Sequence, residues 1–585
     1  MPMDRLDLAI LNTRAHLLSL MTPDGHWEGT LSSSALSTAT AVVALSLVDV
    51  KAHEDLIRPG LKWLVEHQNA DGGWGDTTIS KSNLSTTLLV WSALGISGRG
   101  RSVERCEAWI KATVGSLEPE KIAKAVIARY GKDKTFSVPI LMMATLGGRL
   151  GADAWERVLA LPFELAALPR EWFGAIGLPV VSYALPALIA IGHARFYHAP
   201  PSRWSPMYWI RKLAWRRVRP LLRALQPSSG GYLEATPLTS FVTMALAGAG
   251  EKDHPCVGPA VEFLRGSMRE DGSWPIDTNL ATWGTSLSIK ALGSDLSTAQ
   301  REPLKAWLLG QQYQEVHPFT NAAPGGWAWT NMPGGVPDAD DTAGSLVALW
   351  HLCESDEERQ ALAPQAQAAV KWLLDLQNRD GGMPTFCRGW GALPFDRSSP
   401  ELTAHALWAW HLWSETVPTT AVEKALRYLK KARLKGGKTW EPLWFGNEHH
   451  AQEINPVYGT AQVLSGLSGA GMGPDDPLPA AAIAGLLAEQ HRSGGWGGAK
   501  EIEPTLEESG VALKALAQSG SNDPAVQEAI HHGTSWLVDA TLNGTHFPTA
   551  PIGLYFARLW YHERLYPVIW SLGALKAVRA RLSEF

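Results

Sequence analysis

The sequence predicts an all-α protein built from stacked helical hairpins, closed into a ring or left open. Three observations carry this. A Q-x-x-x-G-x-W pattern recurs along the chain, intact as QNADGGW (Gln68 to Trp74) and QHRSGGW (Gln490 to Trp496). Stretches between copies, such as LKWLVEHQ, AVKWLLDLQ and VEKALRYLKKARL, place apolar residues at i, i+3 and i+4. No stretch sustains the alternation of a half-buried strand.

Taken in order, the chain opens on MPMDRLDLAILNTRAHLLSLM, an amphipathic helical pattern of mixed charge. It has neither the basic n-region nor the long apolar h-region of a signal peptide. The repeat then returns as MTPDGHW (Met21 to Trp27), QPSSGGY (Gln226 to Tyr232), MREDGSW (Met268 to Trp274) and QNRDGGM (Gln377 to Met383). Trp327 in APGGWAW, Trp440 in GGKTW and Phe547 in NGTHF continue it. From Trp274 onward the aromatic positions are spaced by 53, 56, 57, 56 and 51 residues. That spacing holds two ordinary helices and their loops. Each copy is expected to end a helix at its Gln, turn at its Gly pair, and open the next helix near its aromatic. The Gln amide can bond backbone groups at a neighbouring helix terminus, with the indole stacked over it. Much of the tryptophan is thereby structural, and there is a great deal of it: 27 Trp against 11 Tyr and 13 Phe. A non-catalytic helical solenoid offering a binding surface would carry the same pattern.

Composition narrows the function classes. Apolar residues are 45% and charged residues 19%, which excludes a disordered chain. A net charge of −5 leaves no global cationic excess for nucleic acid. The four cysteines, Cys106, Cys256, Cys353 and Cys387, lie far apart, so a disulfide framework or a zinc site is not expected. The expected compartment is reducing, on the cytosolic side.

One segment stands apart. Phe173 to Gly192 is 20 residues without a charge, broken by Pro179 and Pro186. It contains Phe173, Ile176, Leu178, Val180, Leu185 and Leu188. Downstream, Arg203 to Leu225 interleaves Arg and Lys with Trp204, Tyr208, Trp209 and Trp215. An apolar plateau flanked by cations and Trp suits monotopic attachment to one leaflet, at the cytoplasmic side of the cell membrane. A buried helix followed by a solvated basic one, and a true membrane span, are the alternatives.

The sharpest local signal is VPDADDTAGSLVALW, with Asp338, Asp340 and Asp341 at a helix start. Asp suits an N-cap and the first turn. Three carboxyls in four residues exceed that need, and like charges so close retain a proton. In RSSPELTAHALWAWHLW, Glu401 and His405 are i, i+4 neighbours on one helix face. A protonated His beside an aspartic acid would make it a stronger donor.

Together, DADDTA, the repeats, the SPELTAH helix and the apolar-basic insert resemble the squalene–hopene cyclase family of class II triterpene cyclases. The resemblance spans essentially the whole chain. It implies two α/α barrels around a central cavity and an apolar membrane-inserting segment. The domains are then an N-terminal helix (1–20) packed on the second barrel, a first barrel (21–280) carrying the membrane segment (171–225), and a catalytic barrel (281–585). It implies Asp340 as proton donor, supported by Asp338 and Asp341, with His405 as activating partner. Glu401 stands where the family carries another acid, and Tyr458 in NPVYGT fits a hydroxyl that orders the acid site. Trp283, Trp329, Phe386 and Trp444 fall at positions that line the cavity, where π faces stabilise carbocations. The C-terminal FPTAPIGLYFARLWYHERLYP aligns only loosely, so Phe547, Tyr555 and Tyr561 receive no role.

The function implied is metal-free and cofactor-free protonation and cyclisation of a linear polyprenoid, squalene foremost, to a hopene-like polycycle. A homodimer is compatible with the resemblance. A class II cyclase of a prenyl diphosphate uses the same acid but needs cations for the diphosphate, with Arg388 and Arg397 as candidates. A class I synthase is disfavoured, since no D-D-x-x-D metal motif is present. A catalytically inactive lipid-binding barrel would need neither the Asp cluster nor His405.

Overall fold

The repeated turn explains how the helices stack. In the computed structural model, Gln68 Nε2 donates to the carbonyls of Gly72 at 2.8 Å and Ser102 at 2.9 Å. Gln226, Gln377 and Gln490 repeat this with Gly230 and Cys256, Gly381 and Ala421, and Gly494 and Ala529. One amide thus ties its own turn to the start of the next outer helix. The indole adds a second tie. Trp74, Trp274 and Trp496 donate Nε1 to the carbonyls of Leu64, Leu264 and Leu486, in the last turn of the preceding helix. These are carbonyls that the helix itself leaves unbonded. Only glycine suits the turn: Gly72 has φ of +95°, and a Cβ there would lie 2.8 Å from the Arg105 carbonyl oxygen.

The next helix does not open near the aromatic, as expected, but ten residues later, at Leu84 after Trp74 and at Leu506 after Trp496. The hydroxyls of those later helices reach back instead. Thr87 accepts from the Trp74 backbone N–H at 3.0 Å, and Ser509 from that of Trp496 at 2.8 Å. The intervening loop is free to carry chemistry, which decides where the site lies.

The structure describes residues 3–97, 100–131, 133–176, 178, 184–388, 393–413, 416–555 and 558–583. Five inner helices form one ring: α1 (Ala35–Asp49), α2 (Leu84–Ser97), α3 (Ser137–Leu146), α4 (Leu185–His198) and α5 (Thr236–Gly248), with α5 packing back on α1. Six form a second: α6 (Ala281–Leu292), α7 (Ala339–Leu352), α8 (Pro400–Leu412), α9 (Pro456–Gly469), α10 (Leu506–Gln518) and α11 (Tyr566–Leu582), with α11 returning to α6. Outer helices such as Glu54–Glu66, Ala363–Leu376 and Pro477–Glu489 pack outside the rings. The N-terminal helix, Met3–Ser19, lies against α11. Two short antiparallel pairs, Ser33–Ser34 with Trp274–Pro275 and Gly553–Tyr555 with Leu559–Tyr561, are the only sheets among the described residues.

The uncharged run from Phe173 is not one helix. Arg170–Ala175 is a short helix and Leu185–His198 is α4; Val180 lies outside the described residues. Among the described residues no helix is long and apolar enough to cross a membrane. Ile176 and Trp209 are exposed, Phe173 and Leu178 are half-buried, and Leu185 and Leu188 are half-buried on an inner-ring helix. Trp215 departs from the interfacial placement expected of it. Its ring stacks on His193 with centroids 3.5 Å apart, and its Nε1 donates to Glu251.

Candidate active site

The loop before α7 positions the acids. Asp338 N–H donates to the Trp327 carbonyl at 2.9 Å, and Ala339 N–H to that of Thr385. Asp338 then caps α7, its Oδ1 accepting from Asp341 N–H at 2.8 Å. The capping reading therefore holds for this residue. Burial pushes the carboxyls of both Asp338 and Asp341 above the usual carboxylate range, each reinforced by its acidic neighbours.

Asp340 stands in a wall between two spaces. On one side is an apolar cavity of about 190 Å3, lined by residues of both rings, including Phe136, Leu233, Phe241, Trp283 and Trp444. On the other is a chamber of about 50 Å3 lined by Glu401, His405, Tyr458, Lys290 and Lys514. Asp340 lines both. A cavity that size with such polar walls has room for water.

His405, on α8, places Nδ1 2.6 Å from Asp340 Oδ1. Its other nitrogen, Nε2, is 3.2 Å from Lys290 Nζ. The imidazole faces opposing influences on its charge. Burial and the adjacent Lys290 lower its pKa, against the opposing pull of Asp340. Lys290 is thus the second basic group at this site, directly behind the ring. Glu401 shares the chamber with His405 but is held elsewhere, accepting from Leu443 N–H at 2.6 Å and from the Ser399 hydroxyl. Burial pushes its carboxyl up to about 7. Tyr458 is buried on α9, stacked on Phe445 with centroids 4.2 Å apart, in the same chamber.

The four aromatics singled out from the sequence, Trp283, Trp329, Phe386 and Trp444, all line the apolar cavity. Phe386 stands edge-on to Trp329 at 6.0 Å and to Trp444 at 6.1 Å. Tyr555 and Tyr561, which the sequence left without a role, extend this aromatic wall. Tyr555 lies 5.7 Å from Trp444 and 5.1 Å from Tyr561. Phe547 does not reach the cavity and stacks on His16. The sequence reading also missed Asp277, Lys290 and Lys514. Asp277 faces the cavity, its carboxyl held well above the usual range by burial and by Glu234. Charged residues on predicted inner helices, such as Lys290 in LSIKAL and Lys514 in VALKAL, were the available signal.

The chemistry this arrangement permits is proton delivery from a carboxyl into an apolar, aromatic-walled space, backed by a polar compartment. The whole-chain comparison decides the family. Models of the squalene–hopene cyclase N-terminal and C-terminal domains match residues 10–184 and 279–547. The chain belongs to the squalene–hopene cyclase family. It is a terpene cyclase. Squalene–hopene cyclase of Alicyclobacillus acidocaldarius is 24% identical over 521 residues, covering 78% of this chain and 77% of that one. Drimenyl diphosphate synthase of Streptomyces showdoensis is 29% identical over 435 residues, covering 68% of this chain and 72% of that one. Among solved structures, ent-copalyl diphosphate synthase from Streptomyces platensis aligns over 99% of both chains, with a TM-score of 0.57 and 18% identity. The helical-barrel fold expected of the sequence is thus that of this cyclase family.

Proposed function

We propose that this cyclase acts on a linear, uncharged polyprenoid of the squalene class. Asp340 protonates a terminal alkene, and ring closure proceeds within the aromatic cavity to a hopene-like polycycle. The observation that carries this reading is the position of Asp340, shared between an apolar aromatic cavity and a polar chamber. The π faces of Trp283, Trp329, Phe386 and Trp444 offer cation stabilisation, each contact being worth about 2 kcal/mol when desolvated. As neutral rings they do not capture the cation. Cavity walls fixed by the two helical rings supply the folding of the chain before protonation.

Similarity to drimenyl diphosphate synthase supports a second reading, cyclisation of a prenyl diphosphate. Against it, no Lys or Arg lines the cavity among the described residues. Arg388 and Arg397, the candidates from sequence, are both exposed.

A hydrocarbon substrate dissolves in membranes, and the surface offers a matching patch. Eleven of the twenty exposed large apolar side chains among the described residues fall between Leu159 and Leu213, including Trp172, Ile176, Trp204 and Trp209. Exposed Lys212, Arg216 and Arg217 share the helix Pro206–Ala224 with Trp209. This is the composition of a surface that docks on one leaflet with anionic headgroups.

Incubation of detergent-solubilised protein with squalene, 2,3-oxidosqualene and geranylgeranyl diphosphate, followed by product analysis, tests the substrate. Cyclised squalene is expected. Cyclised geranylgeranyl diphosphate with squalene untouched would favour the second reading, and no product from any would favour a lipid-binding protein.

A further inference from the structure

The chamber behind Asp340 holds two lysines that proton donation by an aspartic acid does not itself require. Lys290 enters from α6, and its Nζ sits 3.2 Å from His405 Nε2 and 5.6 Å from the Trp283 ring. Across the imidazole, Nδ1 lies 2.6 Å from Asp340 Oδ1. Lysine ammonium carries three donors and no acceptor, so its bond to Nε2 requires a lone pair on that nitrogen. With Lys290 charged, the ring is neutral and its proton lies on Nδ1, aimed at Asp340.

We propose that Lys290 is a positioning residue for the acid: it fixes His405 as the Nδ1–H tautomer and supplies, through that ring, the positive charge facing Asp340. This rests on the reading of Asp340 as the initiating acid. When Asp340 loses its proton to substrate, the carboxylate meets an N–H bond polarised by an ammonium directly behind it. No proton need leave the chamber for this stabilisation, and the imidazole keeps its own.

The surrounding groups fit that role. Lys290 is faced by Asp340, Asp341 and His351 of α7, by Glu401 and His405 of α8, by Tyr458 of α9 and by Lys514 of α10. On α11, Lys576 is held apart, paired with Asp295 at 2.8 Å. Burial, with Lys514 adding to it, pushes Lys290 down to about 7, while Asp340 and Asp341 pull it back up. Both lysines are half-buried, each with a face on the chamber.

The test is the 15N spectrum of histidine-labelled full-length protein across a pH series, with His405→Gln assigning the resonance. His405 is expected to be neutral and Nδ1-protonated at neutral pH in the wild-type chain. Lys290→Met, which keeps the length and apolar stem, should raise the His405 titration midpoint by about 1–3 pH units by removing a like charge within 4 Å. Lys290→Arg should restore the neutral Nδ1–H form, which a merely space-filling role would not require. If Lys290→Met fails to fold, Lys514→Met should still shift the midpoint upward, by less. An imidazolium in the wild type at neutral pH, an Nε2–H tautomer, or an unmoved midpoint in Lys290→Met would overturn the proposal. These readouts need no substrate. Turnover retained by Asp340→Asn would instead overturn the reading of the acid, and the two failures are distinguishable.

Discussion

At the scale of single residues, the site is organised by burial working on charge. The carboxyls of Asp338 and Asp341 are raised above the usual range because ionising them would bury like charges side by side. Lys514 shows the same cost from the cationic side, since burial pushes it from 10.5 down to about 8. Its depressed value sets the sign of a pH effect. Between about pH 8 and 10.5 the unfolded chain binds a proton at this lysine that the folded chain does not. Stability rises with pH in that window, so the penalty is whole below it and absent above it. Lys514→Met should therefore raise the melting temperature over wild type, with the full gain below about pH 8 and a shrinking gain toward alkaline pH. Thermal melts of both proteins across the range check this; a gain that grew with pH would contradict it. The acids were legible in the sequence because three carboxyls crowd a helix start. Lys290, Lys514 and Asp277 were not, because what matters is which inner-helix face meets which, and periodicity leaves that open. His405 was legible as a partner, but not its contact with a lysine 115 residues away in the chain.

At the scale of elements, the repeated turn does two jobs with two side chains. Its glutamine binds carbonyls of its own turn and of the next outer helix, while its indole finishes the C-terminus of the helix before it. The regular spacing made the helical hairpins legible, and the intact copies made their turns so. The copy ending at Trp327 was only half legible. Its glutamine is Gln312, which bonds Gly325 and Gln365 as the others bond their partners, but an insertion separates it from the glycine. The start of each following helix was misplaced because a turn motif says where a helix ends and not how long the next loop runs. Trp496→Phe keeps the ring but removes the donor to the Leu486 carbonyl, 2.8 Å away and buried. The expected cost is about 1–3 kcal/mol, read by denaturant unfolding. Unchanged stability would mean the indole N–H contributes nothing and the motif acts by packing alone.

At the scale of the whole molecule, two closed rings of helices supply a cavity that neither builds alone, since Phe136 and Phe241 come from the first and Trp444 from the second. Residues 159–213 supply an apolar, basic-edged surface. Of the eleven exposed large apolar side chains described there, only Ile176 lies in the uncharged run 173–192; the others flank it. Leu185–His198 joins the inner ring, so the sequence pointed to the neighbourhood and not to the exposed face itself. Replacing Trp204 and Trp209 together by Ala should reduce co-sedimentation with anionic phospholipid vesicles several-fold while leaving turnover of detergent-solubilised substrate unchanged. Equal vesicle binding would contradict the docking surface. The central claim is that catalysis begins with a proton delivered by Asp340, and isotope incorporation tests it most directly. Squalene turned over in D2O should give a polycycle bearing one carbon-bound deuterium at the terminus that was protonated, with no product from Asp340→Asn. A cyclised product without that deuterium, or labelled product from Asp340→Asn at the wild-type rate, would contradict the account.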